Sequence, residues 1–212
     1  MAPMRIFTGI ALDDEVRRNV LKELQPFQKA GIPMRWTDER NIHLTLKFIG
    51  EVAEAEAARV GAVLEALPPA SSFRLRLRGF GKFPAGNGLH VLWAGVEESL
   101  ELRALFAVVE DALAALGIPR DTRPFHPHVT LGRSTDSRSG RPGTSGLQRP
   151  LQPSVRGRTA GQESNGVMPL LREKGDLFLG EWEAAAHRLY SSRLTPAGPS
   201  YTVLKEIPLV ES

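Results

Sequence analysis

The 212-residue chain has no cysteine, only 7% aromatic residues, and no long apolar run. The missing thiols exclude a disulfide framework, a thiolate nucleophile, and every zinc or iron–sulfur site that depends on Cys. The apolar stretch near the start, Ile6 to Leu12, is broken by Thr8 and Gly9 and is followed at once by Asp13 and Asp14. It is too short to span a bilayer and lacks the architecture of a signal peptide, so the chain is expected to be soluble and cytoplasmic, with no membrane partner.

A strong charge of either sign is also missing. The formal net charge is +3, and five arginines against two acids between Ser134 and Gly166 account for that excess. This stretch is rich in Gly, Ser, Pro and Thr, and only Leu147, Leu151 and Val155 are larger apolar residues. It cannot bury enough surface to offset its ordering entropy, so residues 134–166 are expected to form a flexible basic insertion loop. The remainder is electrically balanced and long enough for a substantial core.

What is present is an internal repeat. A shift of 85 residues lays the strand-like Arg5-Ile6-Phe7-Thr8-Gly9-Ile10-Ala11 on His90 to Val96, and His43-Leu44-Thr45-Leu46 on His128-Val129-Thr130-Leu131. Between strand and histidine motif each half carries a helical pattern. The first has Asp13 and Asp14 leading into Val16, Val20, Leu21, Leu24 and Phe27; the second has Ser99 as N-cap before Leu102, Leu105, Phe106, Val109, Leu113 and Leu116. Further helices are expected over Val52–Leu67 and Val167–Lys174, and strands over Phe73–Arg78, Ala184–Leu194 and Tyr201–Leu209. The expected fold is a single α+β (α/β-like) domain over 1–212, with antiparallel or mixed sheets flanking a central groove and helices outside. Its two pseudo-symmetric lobes divide at about residue 88, with C-terminal strands exchanged between them.

The two His-x-Thr motifs carry the chemistry. In a strand, His43 and Thr45 share one face, roughly 7 Å apart in backbone position, while Leu44 and Leu46 seat the other face on the core. His128 and Thr130 repeat this arrangement with Val129 and Leu131. Two imidazoles across a groove suit in-line displacement at phosphorus, one taking a proton and the other giving one near neutral pH. The hydroxyls would hold non-bridging oxygens, and Arg133, just past the strand, would add a bidentate phosphate contact.

These residues, with Arg35-Trp36, Asn41-Ile42, Lys47-Phe48-Ile49-Gly50, the Gly79 to Pro84 turn, Leu92-Trp93, Pro127 to Arg133 and Ser192 through Tyr201, resemble the 2H phosphoesterase superfamily. Within it, the RNA 2′,3′-cyclic phosphodiesterase (2′-5′ RNA ligase) family is the nearest likeness. The resemblance implies opening of an RNA-type 2′,3′-cyclic phosphate to the 2′-phosphomonoester, with no metal or other cofactor. It makes His43 the general acid and His128 the general base. Thr45, Thr130 and Arg133 become phosphate contacts, Phe48 a nucleoside contact, and RNA or nucleotide cyclic-phosphate ends the partners of a monomer. The long insertion after Arg133 departs from the family pattern. Two alternatives stay open: a 2′-5′ ligase or another cyclic-nucleotide activity, and a non-catalytic RNA phosphate-binding module.

The remaining histidines and arginines take plainer readings. His126 could form a metal pair with His128, but a rim position beside Pro127 fits it better. His90 is read as structural, and His187 is unassigned. Arg74, Arg76 and Arg78 are expected on a solvated strand face, with phosphate steering as the sharper alternative.

Overall fold

The computed structural model describes residues 3–85, 88–135, 164–195 and 198–210. Most of the expected basic insertion, 136–163, lies outside these residues. The elements run β1 (Met4–Ala11), α1 (Asp14–Lys29), β2 (Met34–Trp36), a 3-10 turn (Glu39–Asn41), β3 (His43–Val52), α2 (Glu54–Glu65), β4 (Phe73–Ala85) and β5 (Gly88–Val96). They continue with α3 (Leu100–Ala115), β6 (His128–Ser134), α4 (Ser164–Lys174), β7 (Phe178–Ala184), β8 (Ala186–Thr195) and β9 (Gly198–Pro208). No helix among the described residues is long and apolar enough to cross a membrane.

Local chemistry sets the helix starts. The Asp13 carboxylate accepts from the Glu15 N–H at 2.7 Å, and the Ser99 hydroxyl accepts from the Leu102 N–H at 3.1 Å, so each long helix begins with a donor satisfied. Val16, Val20, Leu24 and Phe27 bury one face of α1, and Leu102, Leu105, Val109 and Leu113 bury one face of α3.

The strands form one continuous sheet in the order β7-β4-β5-β6-β3-β1-β8-β9, every ladder antiparallel, with β2 added beside β6. The sheet therefore has two halves, β7-β4-β5-β6 and β3-β1-β8-β9. They meet where β3 and β6 pair at Leu44 and Val129. These halves do not coincide with a division of the chain near residue 88. β4 crosses over to lie between β5 and β7, and β8 and β9 return to lie beside β1. Helices cross too: α1 packs on β7, where a Cβ at Gly180 would meet Val16, while α2 and α3 cover β1, β3 and β9. Each half of the sheet thus receives elements from both halves of the sequence.

Strand β7 is an addition to the expected elements, because Phe178-Leu179-Gly180-Glu181-Trp182 does not alternate cleanly. A bulge at Leu179 shifts its register against β4, and Leu179, Trp182 and Ala184 still reach the core. Strands β8 and β9 keep the expected positions with slightly different ends, and β3 extends to Val52, so that α2 starts at Glu54 rather than at Val52.

Two further bulges decide which side chains face the groove. Gly9 pairs with Thr45 but Thr8 pairs with Lys47, so Leu46 is the extra residue in β3. Trp93 pairs with Thr130 but Leu92 pairs with Gly132, so Leu131 is its counterpart in β6. Beyond each bulge the faces exchange. Lys47 turns into the core, where its ammonium meets Glu110 of α3 at 2.6 Å, the Pro119 carbonyl at 2.8 Å and Asp121 at 3.5 Å. This buried charge ties a strand of one half-sheet to the helix and loop that lead into β6 of the other.

Candidate active site

Carrying the Leu44–Val129 pairing one residue either way sets His43 opposite Thr130 and Thr45 opposite His128. Side chains directly opposite on antiparallel strands have Cβ atoms about 5 Å apart. The four polar groups therefore form a compact square on one face of the sheet, about the pseudo-two-fold axis between the halves. The bulges bring Phe48 and Arg133 onto that same face, at equivalent places in the two motifs. Strict alternation from His43 and His128 would have turned both away. Arg133 also lies within β6 rather than past its end.

Each imidazole is oriented by the carbonyl two residues upstream. His43 Nδ1 lies 2.7 Å from the Asn41 carbonyl and His128 Nδ1 lies 2.7 Å from that of His126. A carbonyl only accepts, so Nδ1 carries the proton in both rings and Nε2 faces the square. Thr45 Oγ1 is 2.9 Å from His43 Nε2 and donates to it when the ring is neutral. Asn41 is in turn held by donating from Nδ2 to the Pro199 carbonyl at 2.6 Å.

The walls differ. His43 is enclosed by Phe7, stacked at 4.7 Å, with Tyr190 at 5.9 Å and Tyr201 edge-on at 5.4 Å. Gly9 makes room for this packing, since a Cβ there would lie 2.5 Å from the Leu44 carbonyl oxygen and 3.3 Å from the His43 ring. His128 lies against Phe83 at 4.9 Å and Trp93 at 6.3 Å and is more open to solvent. Trp93 lies flat across Gly81, where any Cβ would collide with the indole. Burial pushes the His43 pKa down to about 4, partly opposed by the Asn41 hydrogen bond, and the charge of His128 lowers it further. Burial also lowers His128, against the pull of its hydrogen bond to the His126 carbonyl, with His126 and Arg133 adding to the fall. Arg133 acts on Tyr201 as well, so its charge reaches both sides of the groove.

The other histidines separate from the site. His187 is 1% exposed on the core face, 3.4 Å from the Thr8 hydroxyl, with burial lowering its pKa to about 4. His126 sits exposed at the rim, edge-on to Trp93 at 5.2 Å. Among the described residues no group of three His, Asp or Glu side chains is placed to hold a metal ion. The arginine row on β4 is matched by acids: Arg74 with Glu181, Arg76 with Glu97 and Glu181, and Arg78 with Glu97 and Asp176. No local pattern marks Phe7 or Tyr190 as part of the site, and Tyr201 is marked only as the start of a strand and within the family resemblance.

A sheet bent about two facing His-x-Thr strands, with helices on its other face, is the arrangement of a 2H phosphoesterase. Solved structures share it: TT0787 of Thermus thermophilus, 28% identical with a TM-score of 0.69, covering 99% of this chain and 100% of that one. Escherichia coli LigT shows the same fold, with a TM-score of 0.69 at 24% identity over the whole of both chains. The model of the 2′-5′ RNA ligase superfamily matches residues 13–155, and the chain belongs to that family. Relatives named RNA 2′,3′-cyclic phosphodiesterase include one from Aeropyrum pernix, 35% identical over 86% of this chain and 90% of its own length. Another, from Archaeoglobus fulgidus, is 31% identical over 95% of this chain and 98% of its own.

Proposed function

We propose that this cyclic phosphodiesterase opens the 2′,3′-cyclic phosphate at an RNA end to a 2′-phosphomonoester by acid–base catalysis between His43 and His128. The observation that carries the reading is the single pairing at Leu44 and Val129, which sets two imidazoles and two hydroxyls on one face about one axis. The relatives' printed activity and the binding of 3′-AMP by E. coli LigT support an RNA-type substrate.

The difference in enclosure supports giving the two imidazoles different roles. The attacking water must arrive from solvent, and His128 is the more open imidazole. Its Nε2 takes a proton from that water as the oxygen bonds to phosphorus. The leaving 3′ oxygen departs on the opposite side, toward His43 in its aromatic enclosure, and His43 Nε2–H gives it a proton as the P–O3′ bond breaks. The products are a 2′-phosphomonoester and a free 3′ hydroxyl. Thr45, Thr130 and Arg133 hold the non-bridging oxygens and meet the charge that gathers on them. Phe48, 54% exposed with the Arg5 guanidinium 5.8 Å from its ring centre, offers a face for the nucleoside.

Burial keeps His43 neutral at pH 7 in the free protein, so its acid role depends on the phosphate anion. An anion bound beside Nε2 stabilises the imidazolium and raises its pKa. Incubating the protein with a panel of nucleoside 2′,3′-cyclic phosphates, with and without chelator, tests the reading. Release of the 2′-phosphomonoester, unaffected by chelator and lost in His43→Ala and His128→Ala, is expected; full turnover in either folded variant would sink it.

A further inference from the structure

Strand β2 pairs with the last part of β6: Met34 with Ser134, Arg35 with Arg133 and Trp36 with Gly132. A Cβ at Gly132 would meet Trp36 at 3.0 Å and Met34 at 3.1 Å, so Met34 and Trp36 occupy the core side. Alternation then turns Arg35 to the groove side, directly across from Arg133. Both are exposed, and no carboxylate pairs with either guanidinium among the described residues. Like charges directly opposite on neighbouring strands repel. The same sheet matches Arg74, Arg76 and Arg78 of β4 with Glu181, Glu97 and Asp176. A sheet that neutralises one arginine row while leaving two arginines at paired positions without a carboxylate, one of them on a His-x-Thr strand, is suited to receive an anion.

We infer that Arg35 adds a second phosphate subsite beside Arg133, which takes the phosphodiester on the 5′ side of the reacting nucleotide while Arg133 bridges it to the reacting phosphate, and which favours oligonucleotide ends over mononucleotides. The inference rests on the cyclic-phosphodiesterase reading. β3 and β6 pair at Leu44 and Val129, and β2 lies beside the part of β6 beyond that point. The arginine pair therefore continues the groove floor directly from the His/Thr square. A chain that ends in a 2′,3′-cyclic phosphate carries all its other phosphates on the 5′ side, so the neighbouring anion is a 5′ phosphodiester. Two planar guanidiniums provide the paired donors that such a group accepts.

The test compares wild type with Arg35→Gln on a nucleoside 2′,3′-cyclic phosphate and on a dinucleotide ending in the same group. Arg35→Gln is expected to lower kcat/KM about tenfold on the dinucleotide and less than twofold on the mononucleotide. It should also flatten the salt dependence of dinucleotide turnover by about one released counterion. Equal losses on both substrates, or no loss on either, would overturn the subsite. If wild type opens neither substrate, the hydrolytic reading fails by itself, and the subsite is then judged by equilibrium binding. There, a 5′-phosphorylated dinucleotide bound about tenfold more weakly by Arg35→Gln supports it, and unchanged affinity overturns it. Thermal unfolding of the variant separates either result from loss of fold.

Discussion

The two halves of the sheet carry the same motif in different surroundings. Around His43, Phe7, Tyr190 and Tyr201 close off water, and the Thr45 hydroxyl engages Nε2 directly. Around His128, Phe83 and Trp93 leave the ring more open, and the nearby charges of His126 and Arg133 bear on it. After each motif the equivalent positions diverge as well. Lys47 and Phe48 in one half correspond to Gly132 and Arg133 in the other, so one half offers a buried tie and an aromatic face where the other offers close packing and a guanidinium. A duplicated strand thus supplies two imidazoles of the same tautomer and orientation, and their neighbours give them the different enclosure on which the proposed donor and acceptor roles rest.

The sharpest way to break this comparison is to delete each ring in turn. Either His43→Ala or His128→Ala should lower kcat on a nucleoside cyclic phosphate by a factor of about 10³ or more. His43→Ala should in addition lose about 1–2 kcal/mol of stability in urea unfolding, because it leaves a gap among three aromatic rings. Equal stability in the two variants would mean that the enclosure of His43 contributes nothing beyond shape.

A second test concerns the tie between the halves. Lys47→Met strands Glu110, itself 5% exposed, without its cation, and should cost about 3–5 kcal/mol by denaturant titration. Replacing both partners together, Lys47→Met with Glu110→Leu, should recover most of that loss, since an apolar pair of similar volume needs no compensation.

Acid acts on the fold most through the two imidazoles whose pKa falls furthest. The folded pKa values of His43 and His187 are depressed, so the unfolded chain binds protons that the folded chain refuses. Stability is therefore full above pH 6.5 and falls as the pH drops toward about 4. For one ring this is worth up to about 3 kcal/mol at roughly 1.4 kcal/mol per pH unit. His187→Leu should make the acid loss of stability shallower without moving the pH–rate profile. That profile, as kcat/KM, should be bell-shaped with its maximum on the acid side of neutrality, because burial lowers both imidazoles of the groove, the proposed acid and base, in the free enzyme. A maximum above pH 7.5 would contradict those environments.

The smallest effect should come from the outer contact of the His43 half. Phe48→Ala is expected to raise KM by a few-fold with little change in kcat, corresponding to loss of about 1 kcal/mol of stacking on an exposed face. A large fall in kcat instead would place Phe48 closer to the reacting atoms than its exposure suggests.

Much of the site was legible because it is written in local pattern. His43-x-Thr45 and His128-x-Thr130 recur with their core-facing leucines, and both long helices announce themselves by cap and stripe. Period-two reasoning puts histidine and threonine on one face, and there it succeeds because neither motif contains a bulge before its threonine. It fails three residues later. The bulges at Leu46 and Leu131 are properties of the pairing with β1 and β5, and only they turn Phe48 and Arg133 toward the site and Lys47 into the core. β7 carries no clean local pattern for the same reason, its alternation broken at Leu179.

By itself, then, the sequence determined the duplication, the strand-borne His-Thr pairs, the capped starts of the two long helices and the absence of thiol chemistry, since each follows from residue type and spacing within one element. Only the tertiary structure decided which strands became neighbours: that β3 meets β6, that β4 and β8 change sides, that Phe7, Tyr190 and Tyr201 gather around His43, and that Arg35 comes to face Arg133. Those contacts join residues far apart in the chain. Their partners are selected by burial of the whole apolar face at once, which no local pattern encodes.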